Sequence, residues 1–170
     1  VMPNNFKPAA IERYIKDYEI ECVQMVPTLM HRMLKLDTFN PDDFKSVKAL
    51  SHTGGYCSAE LKRAWINILG AKNVYEIYSM SEMIGITTIR GDEWLEHPGS
   101  VGRPFGGCKI SVRAEDGTEL APGEVGEIFM TPSGGYLQTE YIGREQLPDV
   151  GGGFRSVGDM GYVDDEGYLY

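Results

Sequence analysis

Long apolar runs are missing from this 170-residue chain. No stretch approaches the ~20 residues that a bilayer-spanning helix needs, so no membrane span is expected. Cysteine is scarce. Cys22, Cys57 and Cys108 are odd in number and widely spaced, which fits neither a disulfide framework nor a zinc site. Reduced thiols in a cytoplasmic protein are the expectation. Basic residues are outnumbered, 16 Lys and Arg against 25 Asp and Glu, for a net charge of −9. A nucleic-acid backbone needs Lys and Arg, so a nucleic-acid partner is not expected. Histidine occurs only at 31, 52 and 97. His31 falls on the polar face of a helical pattern, and His52 and His97 have no spaced partners. Neither a Ser-His-Asp triad nor a metal-ligand cluster can be assembled from them. The opening Val1-Met2-Pro3-Asn4-Asn5 lacks the charged-then-apolar order of a signal sequence, and a start at Val1 reads as the interior of something longer.

What is present is the make-up of a globular chain with a real core: 42% hydrophobic and 24% charged residues. Its 21 glycines gather after residue 85, which predicts a turn-rich second half. In the first half, Pro8 opens a helical pattern carrying Ile11, Tyr14, Ile15 and Tyr18 on one face. Residues 20–25 read as a strand, and Pro27-Thr28 opens a second helix with Leu29, Met30, Met33 and Leu34. Those methionines could line a pocket, although Met at helical spacing is more often core. Asn40 to Phe44 reads as a turn or a single helical turn. Residues 47–52 form the next strand, and Thr53-Gly54-Gly55 follows at once. Ser58 caps a third helix with Leu61, Trp65, Ile68 and Leu69 on one face, and Gly70 ends it. Val74 to Ile77 is a further strand. Strand–helix alternation over residues 20–77 predicts a parallel sheet with covering helices.

The second half changes character. Residues 84–89 read as a strand, Gly91-Asp92 as a turn, and His97 to Pro104 as an irregular linker. Residues 108–113 and 127–130 read as strands separated by the turn signals Asp116-Gly117 and Pro122-Gly123. Gly151-Gly152-Gly153 reads as a flexible loop. Tyr162-Val163 and Tyr168-Leu169-Tyr170 pair as a hairpin across a solvated acidic turn. The fold class is therefore α/β followed by mostly β: a parallel sheet with covering helices, then a small antiparallel sheet or distorted barrel. Residues 1–97 form the α/β portion and residues 98–170 the β-rich portion.

Two strand ends carry candidate chemistry. Ligands of open α/β sheets sit beyond the carboxyl ends of strands. After Val74 to Ile77 come Tyr78, Ser79, Met80, Ser81 and Glu82. Tyr78 offers a flat face to a base or a ring to the core. Ser81 offers a hydroxyl to a phosphate oxygen, and Glu82 a hard ligand to Mg²⁺. Gly54-Gly55 lets the backbone approach a ligand, or simply turns tightly. Asp159, beside Gly158, either accepts both hydroxyls of a ribose or caps a turn.

Six segments in order resemble the AMP-forming acyl-CoA synthetases, the adenylate-forming enzymes. They are Val26 to Met30, Leu50 to Ser58, Tyr78 to Glu82, Gly99 to Pro104, Gly123 to Ile128, and Phe154 to Asp159 continuing to Gly167-Tyr168-Leu169-Tyr170. The resemblance implies part of the large N-terminal domain of such an enzyme, with residues 1–97 holding adenine-side and residues 98–170 ribose-side motifs. It implies that Tyr78 stacks on adenine and that Gly54, Gly55 and Tyr56 line the adenine edge by backbone. Ser79 lies in the same signature, Ser81 contacts the α-phosphate, Glu82 ligates Mg²⁺ and Asp159 holds the ribose hydroxyls. Ser81 and Glu82 are then the catalytic candidates, and ATP or AMP, Mg²⁺ and coenzyme A the implied cofactors. The partner is a small carboxylic acid. A homo-oligomer is left open.

Three departures stand out. Ser79 replaces the usual Gly, Ser81 the usual Thr, and Val157 the Thr that usually precedes Gly-Asp, with Ser156 available to compensate. Phe154 to Asp159, the Cys57 turn and Trp94 to Gly102 look most like the bile-acid–CoA ligase branch, hence fatty-acid or bile-acid metabolism. The family's phosphate loop lies upstream of residue 1, and its hinge, C-terminal domain and catalytic lysine lie beyond Tyr170. The missing N- and C-terminal parts would complete the enzyme, and the stretch alone is expected to be inactive. Two rivals remain: an adenylation domain that loads a carrier-protein thiol, and a non-catalytic binding or scaffold module that kept the fold.

Overall fold

The computed structural model describes residues 7–132, 142 and 148–170. The opening Val1 to Asn5 lies outside them. The chain divides into two units, Val1–Glu76 with Arg90–Pro98, and Ile77–Ile89 with Gly99–Tyr170.

In the first unit, proline starts two helices where its missing N–H costs nothing: α1 (Pro8–Asp17) and α2 (Pro27–Leu34). Between them lies β1 (Cys22–Met25). A 3₁₀ turn, Pro41–Phe44, begins at Asn40, whose side-chain oxygen accepts from the Asp42 N–H. Strand β2 (Ala49–His52) precedes α3 (Ala59–Leu69), and the Ser58 hydroxyl caps α3 by accepting from the Leu61 N–H. A 3₁₀ turn, Ala71–Asn73, leads into β3 (Val74–Ser79), which carries the chain out of this unit. Strands β1, β2 and β3 run parallel, with His52 opposite both Met25 and Glu76.

The core is built from the apolar faces the spacing marked. Ile15, Met30, Met33, Phe44, Leu50, Trp65 and Val74 are fully buried. Met30 and Met33 are therefore core. Phe44 meets Trp65 edge to face, with ring centroids 5.3 Å apart. Gly91-Asp92 is not a turn. It opens α4 (Gly91–Glu96), where Glu93 reaches back to accept from the Arg90 N–H and closes a capping box.

In the second unit, β4 (Ile86–Arg90) pairs antiparallel with the short β5 (Arg103–Pro104). Strands β6 (Ile110–Arg113), β7 (Gly126–Met130) and β8 (Arg155–Gly161) form a three-stranded antiparallel sheet. Ile84, Ile128, Met130 and Leu169 make its core, with Tyr78, Met80, Val101, Ile110, Val157 and Val163 packed against them. The terminal hairpin is present: Tyr162 and Tyr170 exchange backbone hydrogen bonds, and their rings stack 4.9 Å apart. Gly151-Gly152-Gly153 is a built turn. Asp149 accepts from the Gly151 N–H at 2.8 Å, and Phe154 donates to the Gly151 carbonyl at 3.2 Å. Among the described residues no helix is long and apolar enough to cross a membrane.

Candidate functional site

Strand β3 ends at Ser79, and its last ring, Tyr78, is half-buried against the apolar core of the second unit. The Tyr78 hydroxyl donates to Asp159 Oδ2 at 2.6 Å, across 81 residues of sequence. Burial pushes the Tyr78 phenol well above its ordinary range. Its hydrogen bond to Asp159 and that residue's charge add to the shift. Tyr78 is therefore a neutral donor at any physiological pH.

Asp159 reaches this position through an irregularity in β8. Glu127 pairs with Met160 and Phe129 with Ser156. Val157, Gly158 and Asp159 thus stand opposite Ile128 alone, and the surplus bulges out. Bulges of this kind re-aim side chains beside functional sites. Gly158 takes φ +79°, which a residue with a Cβ rarely adopts. Asp159 is left exposed at the outer end. Val157 turns the other way, into the apolar core. Ser156 does not stand in for the missing phosphate-side hydroxyl. It is 1% exposed, donates to Glu127 Oε1 and accepts from the Gly158 N–H at 3.0 Å.

The turn after β3 is closed by Ser79. Its hydroxyl donates to the Gly85 carbonyl at 3.0 Å. The Met83 N–H donates to the Met80 carbonyl, and Met83 takes φ +54°. Among the described residues only Glu19 and Met83 are non-glycine residues at positive φ, so position 79 makes no demand for glycine. Ser81 is exposed and Glu82 half-exposed on this turn. No group of three His, Cys, Asp or Glu that could hold a metal exists among the described residues.

The glycine turn belongs to the first unit. Gly54 has φ +79°, and a Cβ at Gly55 would meet nothing within 4 Å. The backbone there is open, and Tyr56 beside it is 89% exposed. Beneath this turn is a cluster that sequence spacing did not reveal. His52 is fully buried, with no hydrogen-bond partner on either ring nitrogen. Its Nδ1 lies 4.0 Å from Glu76 Oε1, while Glu76 Oε2 accepts from Lys62 Nζ. Lys62, 2% exposed, also sits 4.5 Å above the Trp94 ring. Burial, helped by the Lys62 charge, lowers the His52 pKa to about 3, so the imidazole is neutral. Burial raises the Glu76 carboxyl and Lys62 pulls it back. Burial also pushes the Cys57 thiol up to about 11, which makes it a poor nucleophile. Strand register and the facing side of α3 assemble these groups. A sequence signal existed only in Lys62 occupying an otherwise apolar helix face.

The chain is similar to the uncharacterized acyl–CoA ligase YhfT of Bacillus subtilis, 28% identical over 97% of this chain and 32% of that protein. The 2-succinylbenzoate–CoA ligase of Bacillus licheniformis is 30% identical over 100% of this chain and 34% of its own length. The chain therefore spans about a third of the curated relatives it matches. The fold is shared with o-succinylbenzoate CoA synthetase from Bacillus subtilis in complex with the acyl-adenylate intermediate OSB-AMP. There the TM-score is 0.81 at 26% identity, over 98% of this chain and 33% of that one. Residues 1–137 match the family described as AMP-binding enzyme, and the chain belongs to that family.

Proposed function

We propose that this chain carries adenosine-binding parts of an AMP-forming carboxylate–CoA ligase. The observation that carries the reading is the 2.6 Å hydrogen bond between Tyr78 and Asp159. The family resemblance gives Tyr78 to the base and Asp159 to the ribose. Base and ribose are covalently joined, so the two residues that grip them must lie side by side, and within the second unit they do. A carboxylate has about four lone-pair sites. Tyr78 uses one of them, which leaves capacity for both ribose hydroxyls.

The remaining roles follow the chemistry of the groups. A carboxylate resists nucleophilic attack because its charge repels the nucleophile and oxide is a poor leaving group. Adenylation replaces that leaving group: the substrate carboxylate attacks the α-phosphorus of ATP, pyrophosphate departs, and the thiol of CoA then displaces AMP. Ser81, exposed beyond β3, donates to an α-phosphate oxygen. Glu82 supplies one oxygen to Mg²⁺, which offsets charge on the phosphates. Gly54, Gly55 and Tyr56, with open backbone in the first unit, are given to the adenine edge by the family resemblance alone. CoA as the acceptor, rather than a carrier protein, is supported by the CoA-ligase names of the relatives. An aliphatic or bile-acid substrate rests on the branch resemblance alone.

The test is made on the full-length protein. Asp159→Ala should weaken AMP binding, read by calorimetry, about tenfold or more, the cost of losing hydrogen bonds to a charged acceptor. Glu82→Gln should abolish most carboxylate-dependent pyrophosphate release while AMP still binds. Wild-type AMP affinity in the Asp159 variant would refute the ribose role, and undiminished pyrophosphate release would refute the Mg²⁺ role.

A further inference from the structure

Asp159 is the last residue of a three-residue bulge; the Tyr78 hydroxyl holds one of its oxygens, and its backbone needs a brace of its own to stay in one shape. The brace is visible. Ser156 is the last paired residue before the bulge, and its hydroxyl is almost entirely removed from solvent. That one hydroxyl makes two bonds. It accepts from the N–H of Gly158, inside the bulge, and donates to Glu127 Oε1 on the facing strand. Glu127 pairs with Met160, the first residue after the bulge. Glu127 and Ser156 therefore close the neck from both sides. Gly158 needs its positive φ but no spare room, since a Cβ there would meet nothing within 4 Å. The glycine permits the bend, and the Ser156 hydroxyl holds it in one shape.

We propose that Glu127 is a positioning residue for the nucleotide: through Ser156 it fixes the Val157–Asp159 bulge so that the Asp159 carboxylate is aimed before ligand arrives. This rests on the ribose role of Asp159. Groups held by packing and hydrogen bonds lose less freedom when ligand binds, and that saving appears as affinity. Glu127 touches no ligand, so its effect passes entirely through Asp159. A merely structural residue would instead affect every ligand of the folded protein alike, or only its melting temperature.

The experiment measures binding of AMP and of 2′,3′-dideoxy-AMP to the full-length protein by calorimetry, with melting curves to establish folding. Glu127→Ala and Ser156→Ala should each weaken AMP about five- to tenfold, the worth of one ordered hydrogen bond, and leave the dideoxy probe unchanged. Glu127→Gln keeps an acceptor oxygen for Ser156 and should restore AMP affinity to within about twofold of wild type. In an Asp159→Ala background, Glu127→Ala should cost nothing further, because the two act in one chain. Equal weakening of both probes, an additive loss in the double variant, or unchanged AMP binding in folded Glu127→Ala and Ser156→Ala would each overturn the positioning role. If Asp159→Ala itself treats AMP and the dideoxy probe as wild type does, the ribose reading has failed and the positioning role falls with it.

Discussion

Replacing Lys62 by Met tests the buried cluster under the glycine turn. The wild-type side chain is 3% exposed and is bonded to Glu76, itself 12% exposed. Methionine keeps most of the length and apolar body of lysine, so the change removes charge with little loss of packing. What it leaves is a carboxylate in the interior with no cation on Oε2. Breaking a buried pair by removing one partner typically costs about 3–5 kcal/mol. The contact of Lys62 with the Trp94 ring, 4.5 Å away, is lost as well. Because Glu76 keeps some solvent, the low end, about 3 kcal/mol, is the expectation at pH 7. For a protein part of this size that is about 6–12 °C in melting temperature. The pH dependence gives the sharper check. Without Lys62, burial holds the folded-state pKa of Glu76 above its unfolded value, so the cost is fully present above the folded pKa. It disappears as pH falls below the ordinary carboxylate range. His52 adds little to this, because burial, the larger cause of its depressed pKa, remains when Lys62 is gone. Scanning calorimetry of wild type and Lys62→Met should therefore show a deficit that narrows steadily from pH 7 to pH 4. A deficit independent of pH, or a Lys62→Met/Glu76→Gln double variant no more stable than Lys62→Met, would refute this reasoning.

Two further predictions concern the same scaffold. The His52 pKa is depressed to about 3, so the folded state excludes a proton that the unfolded chain accepts near pH 6.5; stability present above that pH is lost below it, and His52→Asn should flatten the fall in melting temperature between pH 7 and pH 4. Gly102 has φ +97°, and a Cβ there would lie 2.1 Å from the Thr88 carbonyl oxygen, so Gly102→Ala should lower the melting temperature by more than about 6 °C, whereas Gly117→Ala, strained in φ but with open space, should cost far less.

The elements that sequence reading located correctly are those whose signals are local. Pro8 and Pro27 start helices, Ser58 caps one and Gly70 ends it, and each of these acts within a few residues of itself. Strands β5, inside a stretch read as linker, and β8, not read as a strand, exist only through pairing with β4 and β7; two other misread segments failed for a local reason. Gly91-Asp92 carries turn residues, but Glu93 returns to cap Arg90 and the same residues become a helix start. Gly151 to Gly153 looks unconstrained, but Asp149 and Phe154 tie it down. What spacing could not show is whatever depends on register. His52 lies opposite Glu76 only because β2 and β3 are parallel in one particular alignment, and Lys62 joins them from a helix face. Glu127 and Ser156 meet only because β7 and β8 pair with two surplus residues on one side.

The same distinction decides what the departures from the family pattern mean. Ser79 in place of glycine and Val157 in place of threonine allow a module that kept the fold and lost the chemistry. Glycine matters where φ is positive, and position 79 is not such a place. Its hydroxyl instead closes the following turn on the Gly85 carbonyl, a bond glycine could not make. Val157 points into the cluster of Ile84, Ile128, Met130 and Leu169, where a methyl is worth more than an unpaired hydroxyl. The bulge it belongs to still delivers Asp159 to Tyr78 at 2.6 Å. Neither substitution disturbs the Tyr78–Asp159 geometry on which the proposed nucleoside binding rests.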